Sequence, residues 1–298
     1  MQSYHTPVLL KESIEALEVQ PNGIYVDATF GGGGHSTAIL KKLKEGKLFG
    51  FDQDSDAARN IISDERFVFI NQNFRHLKKM LRVNGISEVD GILADLGISS
   101  YQVDTAERGF AFRLGGPLDM RMDKSLSLTA EDILNSYDSE RLQKIFGEYG
   151  EVRNAKTLAE IIVAGRNRNE IETVGAFTEL IAPVIRGNRT RYLSQVFQAL
   201  RIEVNDELQA LKEFLEQSLS VLKHGGKVVV ISYHSLEDRL VKNFMRFGNF
   251  TGEAAKDFYG KEEKYFRIIT KKPLSPTEGE IKNNSRAHSA RLRAAEKL

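Results

Sequence analysis

A chain of 298 residues, 41% hydrophobic and 28% charged, has the composition of a soluble globular protein, long enough for two domains or for one domain carrying an insertion. With no cysteine it holds no disulfide, thiolate zinc site or iron–sulfur cluster, and a formal net charge of +1 gives no bulk attraction to nucleic acid. No apolar run approaches the roughly 20 residues of a membrane span, and the first residues lack a charged start, apolar core and cleavage site, so the expectation is a cytoplasmic protein without membrane contact.

A helix is expected over Lys11–Leu17, then a strand over Ile24–Thr29 that runs into Gly31-Gly32-Gly33-Gly34, His35 and Ser36. Four successive glycines are costly to order unless their backbone N–H groups approach a ligand closely or need positive φ. Ser36 and Thr37 suit the first turn of a helix running to about Lys44. The next strand, Lys47–Asp52, ends in an acid 21 positions after Gly31, the interval at which open α/β folds offer a carboxylate to a ribose hydroxyl. Helices over Ser55–Ile62 and Arg75–Val83 alternate with strands over Phe67–Gln72 and Asp90–Asp95. Phe74, beyond the third strand, is placed either to cover an adenine face or to enter the core.

A dinucleotide is not the expected ligand. A G-x-G-x-x-G fingerprint begun at Gly31, Gly32 or Gly33 needs its last glycine where Ser36, Thr37 or Ala38 stands, and no Gly-Lys-Ser/Thr follows the loop. An adenosine ligand without a pyrophosphate fits better, which points to S-adenosylmethionine. The fourth strand end, Asp95-Leu96-Gly97-Ile98-Ser99-Ser100, is then the reacting end. An exocyclic amine has its lone pair delocalised into its ring, and acceptors that hold its N–H bonds let the nitrogen pyramidalise. Asp95 and the carbonyls of Leu96 and Gly97 are the candidates, with much of the rate expected from positioning and desolvation. Without cysteine there is neither a radical cluster nor covalent addition to a pyrimidine ring, so a heteroatom is the expected methyl acceptor.

After Gly97 the alternation stops. Helices are expected over Ala130–Ser136, Ser139–Phe146, Ala155–Asn167, Val174–Val184 and, in two pieces, Arg191–Lys223. Gly225-Gly226 precede the most apolar strand, Lys227–Ser232. Further strands are read at Tyr265–Lys271 and Arg291–Lys297, the last antiparallel, with a long loop over 273–289. Two basic stretches offer candidate phosphate contacts: Arg186, Arg189, Arg191 and Arg201, and a C-terminal set with Arg286, Arg291 and Arg293. His234 lies near a strand end, where Ser232, His234 and Ser235 shape a pocket or cap the next helix. No second histidine stands at a ligand spacing, so no metal site is expected.

These strings together resemble the bacterial 16S ribosomal RNA cytosine-N4 methyltransferase family known as RsmH or MraW. The resemblance covers nearly the whole chain: His5-Thr6-Pro7-Val8-Leu9, Asp27 to Ser36, Asp95-Leu96-Gly97 with Ser99-Ser100 and Gln102, and Glu107-Arg108-Gly109-Phe110. It continues through Gly116 to Asp123, Phe197 to Ile202, and Ile231 to Arg239. It implies an α/β fold, a Rossmann-like class I methyltransferase sheet with an inserted all-helical domain. The implied division is 1–103 and 206–298 for the methyltransferase domain and 104–205 for a substrate-recognition insertion. It also implies S-adenosylmethionine as cofactor and the small ribosomal subunit or its 16S RNA as partner. Cofactor contacts carried over by motif are Gly33, Gly34, His35, Asp52, Phe74, Asp95 and Gln102. Asp95 to Ile98 departs from the general amino-methyltransferase pattern in lacking an aromatic at its fourth position, so base stacking is assigned to Tyr101, Phe110 or Phe112. Arg108, Arg113, Arg121 and Asp119 either contact RNA or lock the insertion, the structural reading being preferred for Asp119 and Asp123.

Overall fold

The computed structural model describes residues 7–254 and 263–298, so His5 and Thr6 lie outside the described residues. The chain forms two compact units, one made of Met1–Gly97 and Leu208–Leu298, the other of Ile98–Glu207. In chain order the first unit contributes α1 (Leu10–Leu17), β1 (Ile24–Asp27), α2 (Gly34–Leu40), β2 (Lys47–Phe51), β3 (Phe67–Ile70), α3 (Leu77–Val83) and β4 (Val89–Asp95). Six helices follow: α4 (Ser100–Asp104), α5 (Ala130–Ser136), α6 (Ser139–Glu148), α7 (Ala155–Arg166), α8 (Val174–Leu180) and α9 (Arg189–Asn205). The chain ends with α10 (Glu207–Val221), β5 (Leu222–Ser232), α11 (Ser235–Phe247), β6 (Phe266–Ile268), α12 (Glu278–Asn283) and β7 (Arg291–Lys297).

The strands form one sheet in the order β3-β2-β1-β4-β5-β7-β6. The first five run parallel, and β7 lies antiparallel between β5 and β6. Strand side chains alternate between faces, so neighbours in sequence enter different cores. Val26, Ile92, Val228 and Val230 face the cluster that includes Leu77 and Leu81 of α3, Phe214 of α10 and Phe244 of α11. Tyr25, Leu93, Val229 and Ile231 face the cluster that includes Leu17 of α1 and Ile39 of α2. A sheet covered on both sides explains why these strands read as continuous apolar runs. The sequence order reverses between β1 and β4, where open α/β sheets bind their ligands.

Several elements differ from the sequence reading. Ser55–Asn60 is a 3-10 helix, begun by the Asp54 carboxylate accepting the Asp56 N–H. The helix after the glycines stops at Leu40, and the stretch read as Arg75–Val83 divides into a 3-10 turn, Phe74–His76, and α3. The expected strand over Tyr265–Lys271 shrinks to Phe266–Ile268, which among the described residues is an edge strand paired with β7. Residues 273–289 are not a loop, since they hold α12 and a 3-10 turn, Ser285–Ser289. Thr277 caps α12 through the Glu280 N–H, and the Glu280 carboxylate accepts the Leu9 N–H at 2.7 Å, tying this helix to the start of α1.

The helical unit has its own core, including Leu134, Phe146, Leu158, Phe177, Val196 and Leu200. One strap through it, residues 116–123, is held by buried polar groups. Arg108 donates to the carbonyls of Arg121 and Met122. Asn205 accepts the Met122 N–H at 2.7 Å and donates to the Met120 carbonyl at 2.8 Å. Arg121 lies in a two-pronged pair on Asp119, and Asp123 caps the Ser125 N–H. These contacts favour the structural reading of Arg108, Asp119, Arg121 and Asp123.

Candidate functional site

The carboxyl ends of β1, β2, β4 and β5 bring together residues far apart in sequence. Beyond β1, the Phe30 N–H donates to the Phe51 carbonyl at 2.7 Å, which bends the chain over β2 and starts the glycine loop. Gly31 and Gly33 lie in the left-handed region, at φ 49° and 74°, where a side chain is strained. At Gly34 the constraint is space, because a β-carbon would meet the Pro7 ring at 2.1 Å. Gly33 caps α2, and the Thr37 hydroxyl returns to the Gly33 carbonyl at 2.7 Å.

The interval from Gly31 to Asp52 is a direct contact. One carboxylate oxygen of Asp52 accepts the Gly31 N–H at 2.8 Å, and the other accepts the Asp54 N–H at 2.8 Å. A carboxylate has about four acceptor positions, so Asp52 keeps capacity for two further donors, the requirement for holding a vicinal diol. Burial, reinforced by the charges of Asp54 and Asp27, pushes Asp52 up to about 7. Asp27, at the end of β1, is fully enclosed, accepts the Ser36 hydroxyl at 2.7 Å, and is pushed by burial up to about 6.

Asp95 closes β4. Its N–H donates to the Thr29 hydroxyl at 2.6 Å, and its Oδ1 accepts the hydroxyl of Tyr233, just past β5, at 2.7 Å. Its Oδ2 lies 3.9 Å from His35 Nδ1, beyond hydrogen-bond range, and 23% of the side chain is exposed. Burial raises Asp95 to about 6 against the lowering effects of His35 and Tyr233, while burial and the Asp95 charge raise the Tyr233 phenol. Leu96 is buried and its N–H is taken by the Ile231 carbonyl. Gly97 turns the chain at φ 103°, and a β-carbon there would lie 3.3 Å from the Tyr233 ring.

The other expected site residues lie as follows. The His35 ring is buried, its Nε2 3.2 Å from the Val8 carbonyl, and burial lowers its basicity, so it presents a neutral imidazole under the loop. Phe74 is half-buried and meets Phe214 edge-on at 5.1 Å, which leaves it partly in the core. Gln102 belongs to the helical unit, where it forms a capping box with Ser99. In the same unit Phe110 enters the core, Phe112 packs on Phe197, and Tyr101 is 44% exposed. His234 caps α11 with its Nδ1, and its Nε2 lies 3.2 Å from Glu237. The C-terminal basic run is largely committed to β7, since Arg293 and Arg291 face Asp238 and Lys297 donates to the Leu222 carbonyl. Two contributors escaped the sequence reading, Thr29 and Tyr233. Tyr233 carried a signal, standing directly after the most apolar strand and so beside the end of β4.

Asp27, Asp52 and Asp95 therefore surround one end of the sheet as three carboxylates, each with raised proton affinity, Asp27 acting on both of the others. Such a set repels a pyrophosphate and attracts a cation.

The model of the MraW methylase family matches residues 2–298. The chain belongs to that family. Within it, the chain is 54% identical over 297 residues to the ribosomal RNA small subunit methyltransferase H of Bacteroides fragilis (strain YCH46), covering 99% of this chain and 98% of that one. It is 56% identical over 297 residues to the protein of the same name from Cytophaga hutchinsonii, covering 99% of each. Among solved structures, an rRNA methylase from Streptococcus thermophilus aligns over 99% of both chains with a TM-score of 0.45 and 13% identity.

Proposed function

We propose that this MraW-family chain uses S-adenosylmethionine to methylate the exocyclic N4 amine of a cytidine in the decoding region of 16S ribosomal RNA, working in the cytoplasm on the small ribosomal subunit. Family membership supports the reaction class. The observation that carries the reading to this site is the division of Asp95, with one oxygen fixed by Tyr233 and the other 3.9 Å from His35 Nδ1.

The residues present fit the cofactor. Asp52 has the acceptor capacity for a ribose diol, the Gly31–Gly33 backbone admits close approach, and the half-buried Phe74 offers a ring face to a base. The three carboxylates suit a sulfonium cation. S-adenosylmethionine supplies, when bound, a methyl group on a good leaving group. Asp95 Oδ2 accepts an N–H of the target amine, which localises the nitrogen lone pair, and it takes up the proton that the methylated amine gives back. Tyr233 holds the carboxylate still, so its free oxygen needs no reorientation. A carboxyl titrating near 6 is ionised at neutral pH yet basic enough for that proton.

The test is transfer of labelled methyl groups to small subunits from cells lacking this protein, followed by nucleoside analysis. N4-methylcytidine at one position, absent with Asp95→Ala, is the expected result. Cofactor binding with no transfer to mature or precursor particles would point instead to a non-catalytic assembly role.

A further inference from the structure

We infer that Glu280 is a positioning residue for the reacting carboxylate: through the peptide group joining Val8 to Leu9 it holds the His35 ring with its acceptor nitrogen toward Asp95. The inference rests on the role proposed for Asp95. The Leu9 N–H donates to Glu280 Oε1 at 2.7 Å, and the Val8 carbonyl lies 3.2 Å from His35 Nε2. These are the two ends of one amide. A carboxylate on α12, a single peptide group and an imidazole on α2 therefore form one hydrogen-bonded row.

The row fixes which ring nitrogen carries the hydrogen. A carbonyl only accepts, so Nε2 donates, and burial keeps the ring neutral, which leaves the lone pair on Nδ1. Nδ1 is the atom 3.9 Å from Asp95 Oδ2. A charged ring lowers the proton affinity of Asp95; the neutral ring instead offers an acceptor to Oδ2 once that oxygen has taken the proton of the methylated amine. The amine N–H bond breaks, the Asp95 O–H bond forms, and the hydrogen stays on oxygen while pointing to Nδ1. Hydrogen bonds in a row polarise one another, so the Glu280 charge strengthens the Val8 carbonyl as an acceptor and Nδ1 as a base. A carboxylate bonded directly to a histidine fixes its tautomer in the same way.

Two features set this row apart from ordinary packing. Leu9, a buried leucine, is the N-cap of α1 and lies in the left-handed region at φ 49° and ψ 37°. Such a conformation persists only where the surroundings over-determine it, and residues of this kind gather at functional sites. The Glu280 carboxylate also reaches the partner of Asp95: burial comes first in raising the Tyr233 phenol, and the charges of Asp95, Glu237 and Glu280 add to it.

The test reads the His35 ring by nitrogen NMR of the isotope-labelled full chain without cofactor, its signals being those missing from His35→Gln. It also reads kcat with S-adenosylmethionine and unmodified small subunits. Wild type is expected to show a neutral ring with the hydrogen on Nε2. Glu280→Ala is expected to mix in the other tautomer and to lower kcat about five- to tenfold, while cofactor affinity changes less than about twofold. Glu280→Gln keeps an oxygen acceptor without the charge, and is expected to keep the hydrogen on Nε2, shift the Nδ1 signal and lower kcat less than alanine does. Glu278→Ala removes an exposed acid from the same turn of α12 and is expected to match wild type in both readouts. A wild-type ring that is charged or carries its hydrogen on Nδ1 overturns the inference, as does either readout unchanged in the folded variants at 280. If Glu280→Ala does not fold, the glutamine variant decides alone. Those failures leave the functional reading standing, whereas wild type that binds cofactor and transfers no methyl group overturns both.

Discussion

The Tyr233 hydroxyl donates to Asp95 Oδ1 at 2.7 Å across 138 positions of sequence, and the same tyrosine ring packs over Gly97. One side chain thus fixes both the acid and the turn that follows it. Tyr233→Phe keeps the ring and removes the bond. Because that bond lowers the Asp95 proton affinity, its loss moves the acid limb of the pH–rate profile upward and lowers kcat about tenfold, with little change in cofactor affinity. An unmoved acid limb would remove Tyr233 from the proposed mechanism.

The three carboxylates make stability and binding depend on pH in a defined direction. Asp27 and Asp95 titrate near 6 and Asp52 near 7 in the folded chain, against 3.8 unfolded. Between about pH 4 and 7 the folded state holds protons that the unfolded state has released, so these groups contribute stability that is lost as pH rises through 6 to 7. Asp95→Asn removes a penalised charge. At pH 8, without ligand, it should raise the melting temperature while abolishing transfer, and calorimetry against pH reads both variant and wild type.

Cation preference follows from the same groups. Affinity for S-adenosylmethionine should weaken about tenfold from pH 8 to pH 5.5 as the carboxylates take up protons, whereas the neutral thioether S-adenosylhomocysteine should change much less. Titration calorimetry of both ligands decides the point, and parallel pH profiles would refute the electrostatic argument.

Asp52 separates two roles that a single alanine would blur. Asp52→Ala should weaken cofactor binding by about 1 to 3 kcal/mol and also release the Gly31 N–H. Asp52→Asn retains one acceptor oxygen and should fall between alanine and wild type. If asparagine equals wild type, the charge at this position plays no part in binding.

In the helical unit, Asn205→Ala removes the acceptor of the Met122 N–H and the donor to the Met120 carbonyl. A cost of about 2 to 3 kcal/mol is expected from the buried unsatisfied groups, read as a lower denaturant midpoint.

The sheet was legible in the sequence wherever an apolar run ended in an acid, as at Asp27, Asp52 and Asp95. The interval from Gly31 to Asp52 became a hydrogen bond, because a loop leaving one parallel strand lies over the end of the next. Local patterns misled where a second partner lay far away. Pro273, Pro276 and Gly279 read as loop, yet Thr277 and Glu280 start a helix that is tied to Leu9 from the other end of the chain. The sequence also does not say where the His35 ring points, which is inward to the Val8 carbonyl. Tyr233 had its place directly after the most apolar strand as its signal, but its bond to Asp95 follows only from the adjacency of β4 and β5.

That adjacency also sets an order of assembly. β4 gains its neighbour β5 only after the whole of Ile98–Glu207 has been made, and the far edge of β5 is covered by β7, which ends at Lys297. A chain emerging from the ribosome therefore carries β4 with an open, sticky edge until β5 has been made, and the helical unit, with its own core, has time to form meanwhile. Loss of the last few residues would strip the closing strand from the sheet and leave β5 as an invitation to pair between molecules.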